Sequence, residues 1–500
     1  MNILGISAGF HDAAAAVISH NGDILFAGHS ERYSKVKNDP HIHNNLIQDV
    51  NRYGPIGHVA YYEVPWKKQA RRLYSGEGVE WNKLTLSQIL ANELSNKKLR
   101  AVMPRFSCHN HHLSHAAAGF QTSPYDRATV VVIDAIGEWD TISIWAAEYN
   151  AQGQVQYKKL WSQQYPHSIG LFYSAMTQRV GLKPNEDEYV LMGMAAYGKH
   201  TDQGYSYTKL LVDNLVDNLA KVTFKENFHI GVSNTFEPEL DDVNLAAAAQ
   251  QLLEKLVYRV MSKARDFGWS SNLVYMGGVA LNCSANRNLG DYFENIWIMP
   301  NPGDAGSSLG AAALKYGRRL NWVNAYLGHN ISGSYPITPV LDSLLSDGIC
   351  GVASGRAEFG PRALGNRSLL ADPRRPDIKD RVNEIKRRQK FRPFAPVILE
   401  EMADRYFYLK SGWNTEYMQF VALCKEPHNF PAICHVDGTS RVQTVPKDGS
   451  GIRELLERWF VLTDCPMLLN TSLNIRGEPM VNDRSDADRF EEQYKVKVHS

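Results

Sequence analysis

Short apolar runs separated by turn residues open the chain. Residues 2–7, 13–19 and 23–28 each read as a buried strand, and Asn21-Gly22 between the last two marks a hairpin. The pattern recurs: residues 129–134, 141–148 and 154–161 give three more strands, the last pair joined through a turn at 150–153. Residues 168–179 and 244–265 have the composition and spacing of buried helices. Residues 272–276 form a short strand running into Gly277-Gly278, and a Gly-rich turn at 302–310 leads into a small-residue helix at 307–314. An α/β chain with an internal duplication is expected.

The pattern weakens between residues 328 and 339, where HNISGSYPITP collects Gly, Ser, Pro and Asn, which predicts domains at 1–333 and 334–500. Basic residues then cluster with Gly, Phe and Pro, in GRAEFGPRALGNRSLLADPRRP and NEIKRRQKFRPFAP. Most charge runs are solvated faces. Here Arg362, Arg367, Lys386, Arg388 and Arg392 alternate with rigid, partly apolar positions, which suits a preorganised polyphosphate pocket. The later MLLNTSLNIRGEP brings Asn470, Thr471, Ser472 and Asn474 after an apolar strand to close the same pocket.

Composition adds limits. A chain of 500 residues exceeds one ordinary core, and 44% hydrophobic with 21% charged residues is a soluble globular mixture. With 54 basic and 53 acidic residues, net charge gives no general attraction to nucleic acid or membrane. The six cysteines form no CxxC pair and read as reduced thiols. The start lacks a signal-peptide pattern and no run of eighteen apolar residues follows, so a cytoplasmic location without membrane contact is expected.

Candidate chemistry centres on HNHHLSHAAAGF, residues 109–120. His111 and His115 stand four apart, on one face of a helix, where two imidazoles can grip one divalent metal. The same spacing also suits solvated histidines. Asp134 at the end of an apolar run and Asp304 in NPGDAGSSLGAA complete a possible His/His/Asp/Asp set. Gly277, Gly278, Asn282, Gly306 and Ser307 lie where glycines and a helix start permit close approach to a phosphate or nucleoside, although a Gly-Gly pair after a strand is often only a tight turn.

The two strand meanders resemble the duplicated actin, sugar-kinase and heat-shock ATPase architecture, which binds a nucleotide between its halves. Eight ordered motifs then converge on one family: GFHDAAAAV, HHLSHAAAGF, GGVALNC, PNPGDAGSSLGAA, EFGPRALGNRSLLADPR, FRPFAP, HVDGTSRVQTV and LLNTSLNIRGEP. The chain resembles O-carbamoyltransferases of the nodulation-factor and antibiotic type. The resemblance implies an actin-like N-terminal domain and a C-terminal YrdC-like α/β domain. The second would form carbamoyl adenylate from carbamoyl phosphate and ATP with Mg2+, with Arg362, Arg367, Lys386, Arg388, Arg392 and Ser472 on the phosphates.

In the first domain the resemblance makes His111, His115, Asp134 and Asp304 ligands of a divalent metal, iron first, with manganese and zinc equally suited to the donor set. His11 would be the general base that takes the acceptor hydroxyl proton. Ala135 replaces the glycine usual after Asp134, which puts the shape of that turn in doubt. The acceptor expected first is the hydroxymethyl group of 5-hydroxymethylcytosine in DNA, as for a viral member working in the host cytoplasm, with a sugar or antibiotic hydroxyl as the alternative. The DNA reading draws on residues 64–81, where Lys67, Lys68, Arg71 and Arg72 sit between Trp66 and Tyr74, a mixture able to touch phosphate and stack on a base. An exposed amphipathic helix explains that segment equally well. A nucleotide-dependent sensor or chaperone-like ATPase without transfer chemistry is the reading from another class, and the oligomeric state, a homodimer included, is left open.

Overall fold

Strands β1 (Asn2–Ser7), β2 (Ala14–Ile18) and β3 (Ile24–His29) form the expected antiparallel meander in the computed structural model. It describes residues 1–500 except 200, 203, 204, 234, 238, 411, 412, 414, 448 and 450. All five residues of β2 are buried, so its sequence is continuously apolar rather than alternating. β4 (Ile56–Tyr61) adds parallel to β1 and β5 (Ala101–Cys108) parallel to β4, giving the order β3-β2-β1-β4-β5.

A second sheet repeats this plan. β6 (Arg127–Ile133), β7 (Asp140–Tyr149) and β8 (Val155–Gln164) form a meander, Asn272–Met276 adds parallel to β6, and Asn295–Trp297 adds parallel to that strand. Numbered from its own first strand, each sheet runs third, second, first, fourth, fifth. The duplication expected from the sequence is therefore present in the pairing, and the first unit has the actin-like plan. The long helix Asp242–Asp266 is started by Asp241, whose side chain accepts from the Asn244 amide at 2.8 Å.

Helix Ser307–Tyr316 packs against helix His111–Phe120 and against β1. Gly310 permits this approach, since a Cβ there would stand 1.8 Å from the Ser114 carbonyl oxygen. The packing carries Asp304, just before the second helix, towards the histidines of the first.

The second unit has a six-stranded mixed sheet in the order Gln443–Val445, Ala395–Leu399, Met467–Ser472, Arg367–Ala371, Ile349–Ala353, Val498–His499. Helices Ile337–Ser346 and Gly451–Thr463 cover one face through Leu344, Leu455 and Trp459. Its extent differs from the expected 334–500: the units are Met1–Ser30 with Asn38–Val323, and Glu31–Lys37 with Asn324–Ser500. Strand Tyr326–Ile331 pairs with Gly355–Glu358, so the polar stretch at 332–336 follows a strand inside the second unit. Residues 31–37 join it because Arg32 donates to the Gly360 carbonyl at 2.7 Å and Lys35 pairs with Asp486.

Candidate active and metal site

Nine of the ten residues of helix His111–Phe120 are buried, which places His111 and His115 in the interior rather than on a solvated face. Their Nε2 atoms lie 3.0 Å apart. Asp134 Oδ2 stands 3.1 Å from His111 Nε2 and 3.5 Å from His115 Nε2, and Asp304 Oδ1 stands 3.4 and 3.2 Å from the same atoms. One ligand atom from each of the four residues falls within 4.8 Å of the others. With bonds of about 2.1 Å, neighbouring donors on a four- or six-coordinate ion sit about 3.0–3.4 Å apart, so the cluster fits a divalent cation. Two nitrogens and two oxygens suit iron, manganese or zinc.

The surroundings orient these donors. His115 Nδ1 donates to the Pro302 carbonyl at 3.0 Å, which leaves Nε2 as the lone-pair nitrogen. His111 Nδ1 faces Glu63 Oε2 at 3.5 Å. The Glu138 carboxylate accepts from the His111 amide at 3.1 Å and the Val64 amide at 2.8 Å, capping the helix start with negative charge. Asp134 Oδ1 accepts from the Gly278 amide at 3.0 Å, leaving Oδ2 to face the histidines.

Charge dominates the titration of this cluster. Burial by itself lowers the His111 and His115 pKa values, but Asp304 and Asp134 outweigh it and raise both. Burial likewise opposes ionisation of Asp134 and Asp304, and the facing histidines hold both well below the usual carboxylate range. His112, on the same helix, is pushed down to about 3 by burial and hydrogen-bonds Ser143 Oγ at 2.8 Å, so it is a neutral core residue.

His11, in the β1–β2 connection, joins the cluster from the open side. Its Nε2 lies 3.5 Å from Asp304 Oδ2, the oxygen turned away from the closest histidine contacts, and its side chain is 55% exposed. Burial lowers its pKa, and Asp304 followed by Asp12 outweighs that and raises it to about 9.

In the second unit Lys386 is 4% exposed. Its ammonium bonds the Ser472 carbonyl, Ser472 Oγ at 3.1 Å, and the Asn474 carbonyl and Oδ1 at 3.0 and 2.9 Å. Burial drives its pKa well down, reinforced by Arg388, Arg392 and Lys37, so four cations share one region. Arg388 stacks 4.0 Å from the Phe394 ring centre and donates to Asn383 Oδ1 at 2.7 Å. Arg362 lies half-buried on the turn after Glu358.

Residues 77–313 match the carbamoyltransferase N-terminus and residues 341–499 the carbamoyltransferase C-terminus. The nodulation protein NolNO of Sinorhizobium fredii is 31% identical over 97% of this chain and 77% of its own. The chain belongs to the carbamoyltransferase family. An uncharacterized protein of Synechocystis sp. is 33% identical over 98% of this chain and 94% of its own. The 3'-hydroxymethylcephem-O-carbamoyltransferase of Amycolatopsis lactamdurans is 28% identical over 95% of this chain and 94% of its own.

Several expected ligand contacts of the carbamoyltransferase are taken up by its own scaffold. The Gly277 amide donates to the Pro302 carbonyl at 2.9 Å and the Gly278 amide to Asp134, so neither faces a phosphate. Gly277 has φ 91°, and its role is the turn that delivers the Gly278 amide to Asp134. Asn282 exchanges hydrogen bonds with Gln250 at 3.0 Å and accepts from the Ala285 amide at 3.0 Å. Gly306 fits against the Asn301 carbonyl, which a Cβ would approach to 1.8 Å. Ser307 Oγ alone of this group is buried with no partner.

Arg367 likewise turns to its own scaffold. It is fully buried, and its five N–H groups donate to the carbonyls of Asn482, Ser354, Asn366, His329 and Gly355 at 2.8–3.2 Å. Nothing remains for a phosphate, and the residue is a crosslink of the second unit. Ala135 is absent from the positive-φ positions, so the turn after Asp134 does not require glycine.

Residues 64–81 change meaning as well. Lys68 pairs with Glu63 at 3.0 Å, Arg71 with Glu77, and Arg72 with Glu77 at 2.8 Å and Glu80 at 3.7 Å. Trp66 and Tyr74 are exposed at 58% and 69%. The segment keeps a stacking surface but most of its positive charge is already neutralised. Sequence reasoning passed over Glu63, Glu138 and Lys37. Glu138 carries a weak signal, four residues after Asp134, whereas Lys37 reaches Lys386 from across the chain with none.

Proposed function

We propose that this carbamoyltransferase moves a carbamoyl group onto a hydroxyl acceptor in two half-reactions, one in each unit. The convergence of His111, His115, Asp134 and Asp304, with His11 beside them, carries the reading. In the second unit, water cleaves carbamoyl phosphate to carbamate and phosphate, and a carbamate oxygen displaces pyrophosphate from the α-phosphorus of ATP. The Lys386, Arg388 and Arg392 cluster, with Arg362 and Lys37, balances the charge of the phosphates. Ser472 and Asn474 hold the Lys386 ammonium in place.

In the first unit His11 Nε2 takes the acceptor proton as the hydroxyl oxygen attacks the carbamoyl carbon and AMP leaves. His111, His115, Asp134 and Asp304 would hold a divalent ion, which would supply positive charge for the leaving phosphate, and Asp304 engaged as a ligand would leave His11 free to act as the base. Iron is the ion we favour. Enclosure of the donors limits hydrolysis of an activated carbamate.

A small-molecule hydroxyl is the favoured acceptor, as the name of the cephem-modifying relative supports. The alternative, 5-hydroxymethylcytosine in DNA, has lost its main support with the pairing of Lys68, Arg71 and Arg72. The test is incubation with ATP, Mg2+ and carbamoyl phosphate against aminosugars, hydroxymethyl β-lactams and hydroxymethylcytosine DNA, read by mass spectrometry. Gain of one carbamoyl group on a small molecule is expected. Gain on DNA alone overturns the acceptor assignment, and consumption of ATP with carbamoyl phosphate untouched overturns the transfer reading.

A further inference from the structure

Lys68 is a lysine buried in the first unit, 7% exposed on helix Pro65–Tyr74. Glu63, two residues after β4 and fully buried, accepts from its ammonium at 3.2 and 3.0 Å on the two carboxylate oxygens. The centre of the Phe10 ring lies 3.3 Å from the same nitrogen, within cation–π range. A buried ion pair adds little net stability over an apolar pair of the same volume, so packing by itself does not explain this one.

Each partner of Lys68 leads to a different half of the transfer site. Glu63 Oε2 also faces His111 Nδ1 at 3.5 Å. That separation is longer than a hydrogen bond. An imidazole that gives Nε2 to a metal ion carries its proton on Nδ1, however, and Glu63 is the acceptor set before that proton. Phe10 immediately precedes His11 in the β1–β2 connection. The backbone there is tied by the Pro40 and Asp39 carbonyls, which accept from the Gly9 and Ala13 amides at 2.7 and 2.8 Å. Phe10 is the side chain that reaches from this connection to the helix. Lys83 supports the same grip, since it donates to the Gly9 carbonyl at 2.7 Å with its ammonium 4.8 Å from the Phe10 ring centre.

We infer that Lys68 is a positioning residue shared by both halves of the transfer site: through Glu63 it fixes the ring of His111, and through Phe10 it fixes the backbone that presents His11. The inference rests on the reading that His111 ligates a metal and His11 is the base. One buried ammonium then holds a ligand and the base in register with each other, which neither the metal cluster nor the His11 connection achieves alone.

The test uses the full-length protein and two readouts. Fe2+ affinity is read anaerobically by competition with a chromogenic chelator. Transfer is read with Fe2+ in excess, on whichever of the aminosugars or hydroxymethyl β-lactams the wild-type protein carbamoylates. Lys68→Met keeps the length and removes the charge. Its Fe2+ dissociation constant is expected to rise about tenfold or more, and its transfer kcat to fall about tenfold or more. The KM for the acceptor and pyrophosphate release from ATP stay within about twofold of wild type. Phe10→Leu should lower transfer kcat and leave Fe2+ affinity within about twofold, and Phe10→Tyr, which keeps the ring, should restore the rate.

Should Lys68→Met fold poorly, Glu63→Gln combined with Lys68→Met removes both buried charges together and should show the same two losses. Loss of only one property or of neither in the Lys68 variants, unchanged transfer in Phe10→Leu, or no recovery in Phe10→Tyr would overturn the inference and leave Lys68 an ion pair of the fold. Absence of Fe2+ binding or of any carbamoyl transfer by the wild-type protein overturns the parent reading instead, and this inference with it.

Discussion

At the residue scale the site is a balance of two imidazoles against two carboxylates, set by which atoms face inward. In the metal-free protein the facing carboxylates raise the His111 and His115 pKa values, so protons compete with a metal ion for the ligating nitrogens. Metal uptake must displace them, and affinity should strengthen as pH rises. The same shifts act on stability. A raised histidine pKa stabilises the metal-free fold fully below the unfolded value of about 6.5, and this contribution is lost as pH rises through the folded values. Calorimetric titration in buffers of different ionisation enthalpy should show proton release on metal binding near neutral pH, and none would contradict the raised values. His115→Ala, which removes one ligand and the link to Pro302, should abolish retained metal by elemental analysis. It should lower transfer by at least about a hundredfold while pyrophosphate release persists.

At the element scale, geometry depends on how closely two helices approach. Gly310 lets helix Ser307–Tyr316 lie against Ser114 of helix His111–Phe120, and that contact sets the distance from Asp304 to the histidines. Gly310→Ala places a methyl group 1.8 Å from a backbone oxygen. It should cost about 1–3 kcal/mol or more in denaturant unfolding and weaken metal binding, because the helix that carries Asp304 must shift. A variant of unchanged stability and metal content would show that the helices yield without cost. Elements of this kind were largely legible in the sequence. Apolar runs and Asn21-Gly22 located both meanders to within a few residues, because buried strands and hairpin turns leave local signatures. The pairing of Tyr326–Ile331 with Gly355–Glu358 and the place of residues 31–37 in the second unit are long-range events that local composition does not signal.

At the scale of the whole molecule, the family motifs pointed to His111, His115, Asp134 and Asp304, and the structure brings these four together from three separate stretches of sequence into a cluster that could hold a metal ion. Which side chain in each motif faces a ligand was less legible. Arg367, Gly278 and Asn282 stand in the right motifs, yet each is satisfied by its own scaffold, because hydrogen-bond saturation depends on neighbours that sequence spacing does not show. No described helix is long and apolar enough to cross a membrane. The central claim is the division of labour between the units, and quenched-reaction mass spectrometry of His11→Ala with ATP, Mg2+, carbamoyl phosphate and a competent acceptor tests it most directly. Carbamoyl adenylate should form and accumulate while carbamoylated acceptor is lost. Loss of the adenylate along with the product would contradict the account.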